Sequence, residues 1–366
     1  MSERALHAVV LAAGEGTRMR STRPKPLHLL CGRAMVLYVL DALAECEVDK
    51  AVVVVGHGAE RVTKKLQDEA GGLELEFVEQ HVQRGTGDAT SVGLTAFLDD
   101  DDDDDVIVMP GDTPLLRAST IAGLVREHRL SEAACTILTA TSDDATGYGR
   151  IVRGKDDRVE RIVEERDAND DIRQITEWNT SIYCFRRSLL APALRRVTPD
   201  NDQGEYYLTD VVEVLREAGY SIAAVIAPDD SEPQGINDRR QLASAEAELR
   251  HRINDAWLGA GVTMVDPART YIDSTVRLAP DVTIFPGTLL QGATVIGEGV
   301  ELGPETRLVD CTVGDGATVE RTVGRLADIG AGAIVGPYAV LEPGSQVVPG
   351  TRTGPFYTAT AEESGP

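Results

Sequence analysis

Residues 6–19 read LHAVVLAAGEGTRM, and residues 24–26 read PKP. The apolar run Val9–Ala12 passes directly into a loop that carries Gly14 and Gly16. Such a run, bounded by turn residues, reads as a buried strand. The two glycines let the backbone approach a ligand closely, and successive N–H groups in a loop of this kind form an anion-binding nest. Arg18 and Lys25 add two cations able to reach phosphate oxygens. No Gly-Lys-Ser/Thr follows, and the spacing is not Gly-x-Gly-x-x-Gly, so neither the P-loop nor the dinucleotide fingerprint is present.

Outward from this loop, apolar runs alternate with helix-period segments. Val9–Ala12, Ala51–Val55, Leu75–Val78 and Val106–Met109 read as strands, and Met35–Glu45, Ala59–Glu69 and Thr86–Leu98 as helices. That alternation predicts the α/β class with a doubly wound, mainly parallel sheet. Residues 130–190 are richer in strands, at Cys135–Thr139, Gly149–Val152, Val159–Val163 and Ser181–Phe185. They predict an added sheet over the strand ends, where a ligand would sit. Tyr206–Glu217 and Arg239–Leu258 read as helices, the second as a connector. The acidic run Asp99–Asp105 reads as a solvated loop.

A different texture begins near residue 262. Leu278, Ile284, Leu290, Ile296, Leu302 and Leu308 recur every six residues, each preceded at two residues by Val276, Val282, Thr288, Thr294, Val300 or Thr306. The phase slips between Val319 and Val323 and resumes at Val323, Ile329, Val335, Leu341 and Val347. No helix has period six, whereas hexapeptide parallel β-helices do. The expected domains are 1–237, a connecting helix 238–260, a β-helix 261–353, and a tail 354–366 without repeat and mobile at its end.

Composition narrows the function. A chain of 366 residues with 42% apolar and 26% charged residues is globular, and no apolar run is long enough to span a membrane. No signal peptide is visible. A net charge of −24 argues against nucleic acid and anionic membranes as partners, although a local basic loop still permits an anionic small substrate. Cys31, Cys46, Cys135, Cys184 and Cys311 are widely spaced without a CxxC, which fits a reducing cytoplasm and no zinc site.

The opening motif resembles that of sugar-1-phosphate nucleotidyltransferases. The match continues through Gly56-His57-Gly58, Gln80 with Gly85-Thr86-Gly87, Gly111-Asp112-Thr113-Pro114-Leu115 and Thr146-Gly147-Tyr148-Gly149-Arg150. It goes on through Ile162-Val163-Glu164, Trp178-Asn179-Thr180, Gln203 to Asp210, and Gly235-Ile236-Asn237. Order and spacing resemble the GlmU-type family, uridyltransferases joined to an acetyltransferase. The resemblance implies a Rossmann-like nucleotidyltransferase domain followed by a left-handed parallel β-helix, with triangular turns of roughly 18 residues. Val276–Val347 then makes about four turns. It further implies transfer of a uridylyl group from UTP to N-acetylglucosamine 1-phosphate.

By that resemblance Arg18 and Lys25 act on the phosphates. Leu11, Ala12, Ala13, Gly14, Gly16, Thr17, Gln80, Gly85 and Thr86 bind the nucleotide. Tyr148, Gly149, Glu164, Asn179 and Thr180 bind the sugar, and Asp112 and Asn237 hold Mg²⁺. Read alone, Asp112 is an ordinary turn aspartate and Asn237 a helix cap.

Several residues depart from the family pattern. Asp88 stands where histidine usually follows Gly-Thr-Gly, Ser181 replaces a glycine, Trp178 is bulky beside Asn179, and Pro26 follows Lys25 in place of a small aliphatic residue. In the β-helix, Glu342 takes the place of a phosphate-binding arginine, and His251 is the last histidine. The expectation is a shortened, acetyltransfer-inactive β-helix that assembles a homotrimer. The alternatives are another hexose 1-phosphate or dTTP as substrate, or a non-catalytic nucleotide-sugar sensor.

Overall fold

The computed structural model describes residues 4–97 and 104–361. They form two units, residues 4–28 with 34–242, and residues 29–33 with 243–361.

The first unit is built on a mixed sheet. Strand β1 (Leu6–Ala12) runs parallel to β2 (Lys50–Val55) on one side and to β4 (Asp105–Pro110) on the other, and β3 (Glu74–Glu79) continues beyond β2. Both faces of β1 are covered, which is why its sequence is a near-continuous apolar run. Alternate side chains serve opposite faces. Ala8, Val10 and Ala12 join a core with helices α1 (Met35–Ala44), α2 (Ala59–Glu69) and α4 (Ala118–Ser131). Val9 joins a second core with α3 (Thr86–Leu94), α5 (Arg187–Leu194) and α6 (Asp210–Glu217). The chain moves outward from β1 through β2 to β3 and then returns to β4 on the other flank. The strand order therefore reverses beside β1, which opens a crevice at the carboxyl ends of β1 and β4.

The strand-rich region differs from its sequence reading. Strands β5 (Cys135–Thr141), β8 (Glu177–Arg186) and β9 (Ile222–Ile226) extend the main sheet in the order β9-β5-β8-β4-β1 and do not form a layer above it. β8 is antiparallel to both neighbours and almost wholly buried, so hydrogen-bonding and two-sided burial both favour the sheet interior. Only the hairpin β6 (Arg150–Arg153) with β7 (Val159–Val163) branches off, through one β6–β8 pairing. Helices α4 and α5 carried no sequence expectation. The helix expected from Tyr206 starts at Asp210, because the preceding backbone is bonded elsewhere: Tyr206 N–H donates to Arg84 O, and Gly87 N–H to Tyr206 O.

The aspartate run is also corrected. Residues 98–103 lie outside the described residues, but Asp104 and Asp105 are buried. Asp105 opens β4 and lies 3.0 Å from Arg129 Nε, 3.4 Å from Arg4 Nε and 3.4 Å from His128 Nε2. Asp104 lies 3.2 Å from His7 Nε2. Burial favours the neutral Asp105 acid, but hydrogen bonds from His128 and Arg129 outweigh it and hold the carboxyl below its usual range.

The second unit is a left-handed parallel β-helix whose three faces are ladders of short strands. Leu278 pairs with Ile296, Ile296 with Val313, Val313 with Ile329, and Ile329 with Val347. The period shortens earlier than the sequence suggested. The inward row runs Leu308, Val313, Val319, Gly324, Ile329, so the shortening is spread over three corners. Val323, read as an inward repeat position, faces solvent, and Gly324 occupies the core row between Leu308 and Leu341. The inner threonines bond internally; Thr294 Oγ1 donates to Gln291 O and accepts from Cys311 N–H. Ile253 and Trp257, from the C-terminal half of α7 (Arg239–Gly259), pack on the core of the coil. The described part of the expected tail, residues 354–361, joins the coil, since Thr358–Ala359 pairs with Val340–Leu341; its end, residues 362–366, lies outside the described residues. All five cysteines are free thiols. Among the described residues no helix is long and apolar enough to cross a membrane.

Candidate active site

The crevice at the carboxyl ends of β1 and β4 is a cavity of about 440 Å³. Its floor comes from the loops after these two strands, its sides from α3 and from the segments carrying Tyr148, Glu164 and Asn179. Of the residues assigned from the sequence, Leu11, Ala12, Ala13, Gly14, Lys25, Gln80, Gly85, Thr86, Asp112, Tyr148, Gly149, Glu164, Asn179, Thr180 and Asn237 line it. Gly16, Thr17 and Arg18 do not, although Arg18 touches a residue that does.

The polar centre joins four of them. Lys25 Nζ donates to Asp112 Oδ2 and, at 2.9 Å, to Asn237 Oδ1. Arg18 Nη2 donates to the same Asn237 oxygen at 2.9 Å. Gly16 makes the approach of Lys25 possible: its φ is +63°, and a Cβ there would lie 2.7 Å from Lys25 Cβ. Asn237 is not the helix cap. Asp238 Oδ1 accepts from the Arg240 and Gln241 amides, which leaves the Asn237 side chain to the site.

Asp112 and Asn237 thus present two hard oxygens that both reach one cation, here Lys25 Nζ, and Gly235 adds no side chain where a Cβ would lie 3.4 Å from Asp112 Oδ1. Among the described residues there is no cluster of three or more metal-type ligands. A two-oxygen donor set fits a divalent ion that completes its shell with phosphate and water oxygens, as Mg²⁺ does.

At the α3 side, Gly85 has φ +104°, and a Cβ there would lie 2.6 Å from Tyr206 O, so this turn admits only glycine without rearrangement. Thr86 Oγ1 accepts from Leu208 N–H at 3.1 Å. Gln80 is buried, and its Nε2 donates to Asp88 Oδ2 at 2.7 Å.

On the opposite side, Glu164 accepts from Thr209 Oγ1 at 3.2 Å, and burial raises its pKa. Asn179 Nδ2 donates to Tyr183 Oη at 2.8 Å, which fixes the amide. Thr180 spends its hydroxyl on Leu138 O at 2.6 Å. The Tyr148 ring packs on Trp178 with centroids 4.1 Å apart. Trp178 is buried behind Tyr148, so its bulk takes no cavity space. Ser181 adopts φ 62° in a β-bulge and lines the cavity, as does Pro26.

Sequence reasoning missed Gln83, Glu205 and Thr209. Gln83 Nε2 donates to Ala13 O at 2.7 Å and so braces the glycine loop. Glu205 and Thr209 lie within a stretch that carried the resemblance but had no assigned role. No local spacing distinguishes Gln83.

A family model, the MobA-like NTP transferase domain, matches residues 8–250. The bifunctional protein GlmU of Streptomyces avermitilis is 47% identical over 349 residues, covering 95% of this chain and 72% of that protein. GlmU of Geobacillus sp. WCH70 is 43% identical over 96% of this chain and 75% of its own length. GlmU of Mycobacterium marinum is 46% identical over 95% of this chain and 71% of its own length. With a nucleotidyltransferase-type crevice, a β-helix and this level of identity, the chain belongs to the GlmU family of nucleotidyltransferases.

Proposed function

We propose that the cavity transfers a uridylyl group from UTP to N-acetylglucosamine 1-phosphate, with Mg²⁺ held by Asp112 and Asn237. The observation that carries this reading is the meeting of Lys25, Arg18, Asp112 and Asn237 at one cavity, between the side with Gln80 and Thr86 and the side with Tyr148, Glu164 and Asn179. A sugar-phosphate oxygen attacks the α-phosphorus in line. A new P–O bond forms, the bond to the β-phosphate bridging oxygen breaks, and pyrophosphate leaves with that electron pair.

No covalent intermediate is required, so the residues work by positioning and by charge. Lys25 and Arg18 neutralise crowded phosphate oxygens. The backbone of Ala12, Ala13 and Gly14 tracks the nucleotide, and Gln80 reads the base edge. Glu164 and Asn179 hold sugar hydroxyls and the N-acetyl group, while Tyr148 walls the sugar side. Thr180 contributes backbone groups, its hydroxyl being already bonded. When bound, Mg²⁺ supplies Lewis-acid stabilisation of phosphoryl charge. Ser181 favours a second reading, another hexose 1-phosphate, because it puts a side chain into the sugar side.

The β-helix is assigned to assembly rather than to acetyl transfer. The coil at residues 262–361 carries no histidine, and Glu342 would repel a phosphate. On one ladder Val323 and Val340 are adjacent exposed apolar residues, and exposed Tyr271 follows beyond Arg307 and Leu289, which supports packing of this face into a homotrimer. The five free thiols support a cytoplasmic location.

Pyrophosphate release is the test, with purified protein and Mg²⁺ and a cross of nucleotides with sugar phosphates, on material sized by sedimentation. Turnover with UTP and N-acetylglucosamine 1-phosphate, by a trimer that leaves acetyl-CoA intact, is expected. Preference for another pair would move the specificity. No turnover by folded, nucleotide-binding protein would overturn the enzymatic reading, and monomeric protein or acetyl-CoA consumption would overturn the role given to the β-helix.

A further inference from the structure

Gln80 lies at the base side of the cavity and is only 5% exposed. Its Nε2 has two acceptors, Asp88 Oδ2 at 2.7 Å and, more weakly, Gly85 O at 3.4 Å. A carboxylate and a carbonyl accept but do not donate. The reversed amide would set Oε1 against two oxygens, so the chemistry of its neighbours settles the orientation of Gln80. Both amide hydrogens are committed, and among the described residues no hydrogen bond is made to Oε1. With both amide hydrogens committed, the polar group that Gln80 has left to offer a ligand is the Oε1 acceptor.

We propose that Asp88 is a positioning residue that locks Gln80 as an acceptor and so makes the site select a pyrimidine with an N3–H over one with an unprotonated N3. The proposal rests on the uridylyl-transfer reading and deepens it. Uracil offers N3–H to the waiting oxygen. Cytosine would bring its N3 lone pair against the same oxygen and leave two buried acceptors facing each other, which polar recognition penalises strongly. The histidine usual at this place in the resembling enzymes can donate or accept according to its tautomer, so it does not impose one polarity. Asp88 also lies in the first turn of α3, where a negative charge favours the helix. That contribution moves stability and treats both nucleotides alike.

The test measures kcat/KM and direct binding for UTP and for CTP in the wild type, Asp88→Ala, Asp88→Asn, Gln80→Ala and the double variant Asp88→Ala/Gln80→Ala, each with a melting curve. Asp88→Ala is expected to cut the UTP/CTP ratio by about tenfold, mainly through KM. Asp88→Asn, whose own amide can present oxygen or nitrogen, is expected to cut it less. In the Gln80→Ala background, loss of Asp88 is expected to leave the ratio where it is. A folded Asp88→Ala protein with the wild-type ratio, or equal cuts with and without Gln80, would overturn the proposal. If Asp88→Ala does not fold, Asp88→Asn decides by the same ratio. Wild type that uses UTP and CTP equally overturns the lock and leaves uridylyl transfer standing. Wild type that neither binds nor turns over UTP removes both.

Discussion

Strand β4 begins with one aspartate and is followed by another, at opposite poles of the first unit, and the two poles treat acids in opposite ways. At the amino end, Asp105 is buried among Arg4, Arg129 and His128, and its carboxyl is pulled below the ordinary range. At the carboxyl end lies the cavity, with Asp112 just beyond the strand. There burial pushes Glu164 up, and next to the lining residue Thr209, at the start of α6, burial together with Glu213 and Asp167 pushes Asp210 up to about 6. One pole uses charge pairing to hold the sheet together. The other keeps acids in costly surroundings and leaves oxygens for a ligand, as expected where a site is maintained at the expense of stability.

The largest effect is expected at the cavity pole. Lys25→Ala removes the cation that joins Asp112 to Asn237. Loss of one preorganised charge of this kind costs roughly a thousandfold in kcat, about 4 kcal/mol. The melting temperature is expected to stay near that of the wild type. A large loss of stability with modest loss of kcat would make this lysine a scaffold residue.

The opposite split is expected for Asp105→Asn, which leaves cations without their countercharge and costs about 3 kcal/mol in denaturant unfolding with nucleotide affinity retained. Because the folded pKa of Asp105 is lowered, its contribution is present above the unfolded pKa and is lost as pH falls through the folded value. Wild type should therefore lose its advantage over Asp105→Asn in acid. An advantage independent of pH would count against the charge pairing.

The smallest effect belongs to Asp210→Asn. A raised carboxylate pKa has the reverse sign: the penalty is absent in acid, grows as pH rises from the unfolded value through about 6, and is full above it. Removing the charge should stabilise the protein at pH 8 by about 1 kcal/mol, after discounting for solvent screening and for the favourable position at the start of α6. No gain at pH 8 relative to pH 4 would show that Asp210 does not feel the crowded acids.

Much of this was legible in the chain itself. The run into Gly14 and Gly16, the alternation of strands and helices, and the six-residue period all rest on local backbone preferences, which a short window records. The motif strings even named most of the cavity wall. The strands at 135–185 were legible as strands but not as members of the main sheet, because pairing partners leave no mark on a strand's own period. The β-helix corners were misplaced for a related reason. Val323 and Gly324 can be told apart only by which one faces Leu308 across the next turn.

The chain's own residues fixed the two textures, the glycine loop after β1 and the residue types available for chemistry, since these depend on neighbours within a few positions. Tertiary structure decided that Asn237 meets Lys25 and Asp112 and does not cap a helix, that the end of the aspartate run is buried, and that Asp88 turns the Gln80 amide. Each of those depends on groups brought together across loops and sheet layers, where no local spacing carries the information.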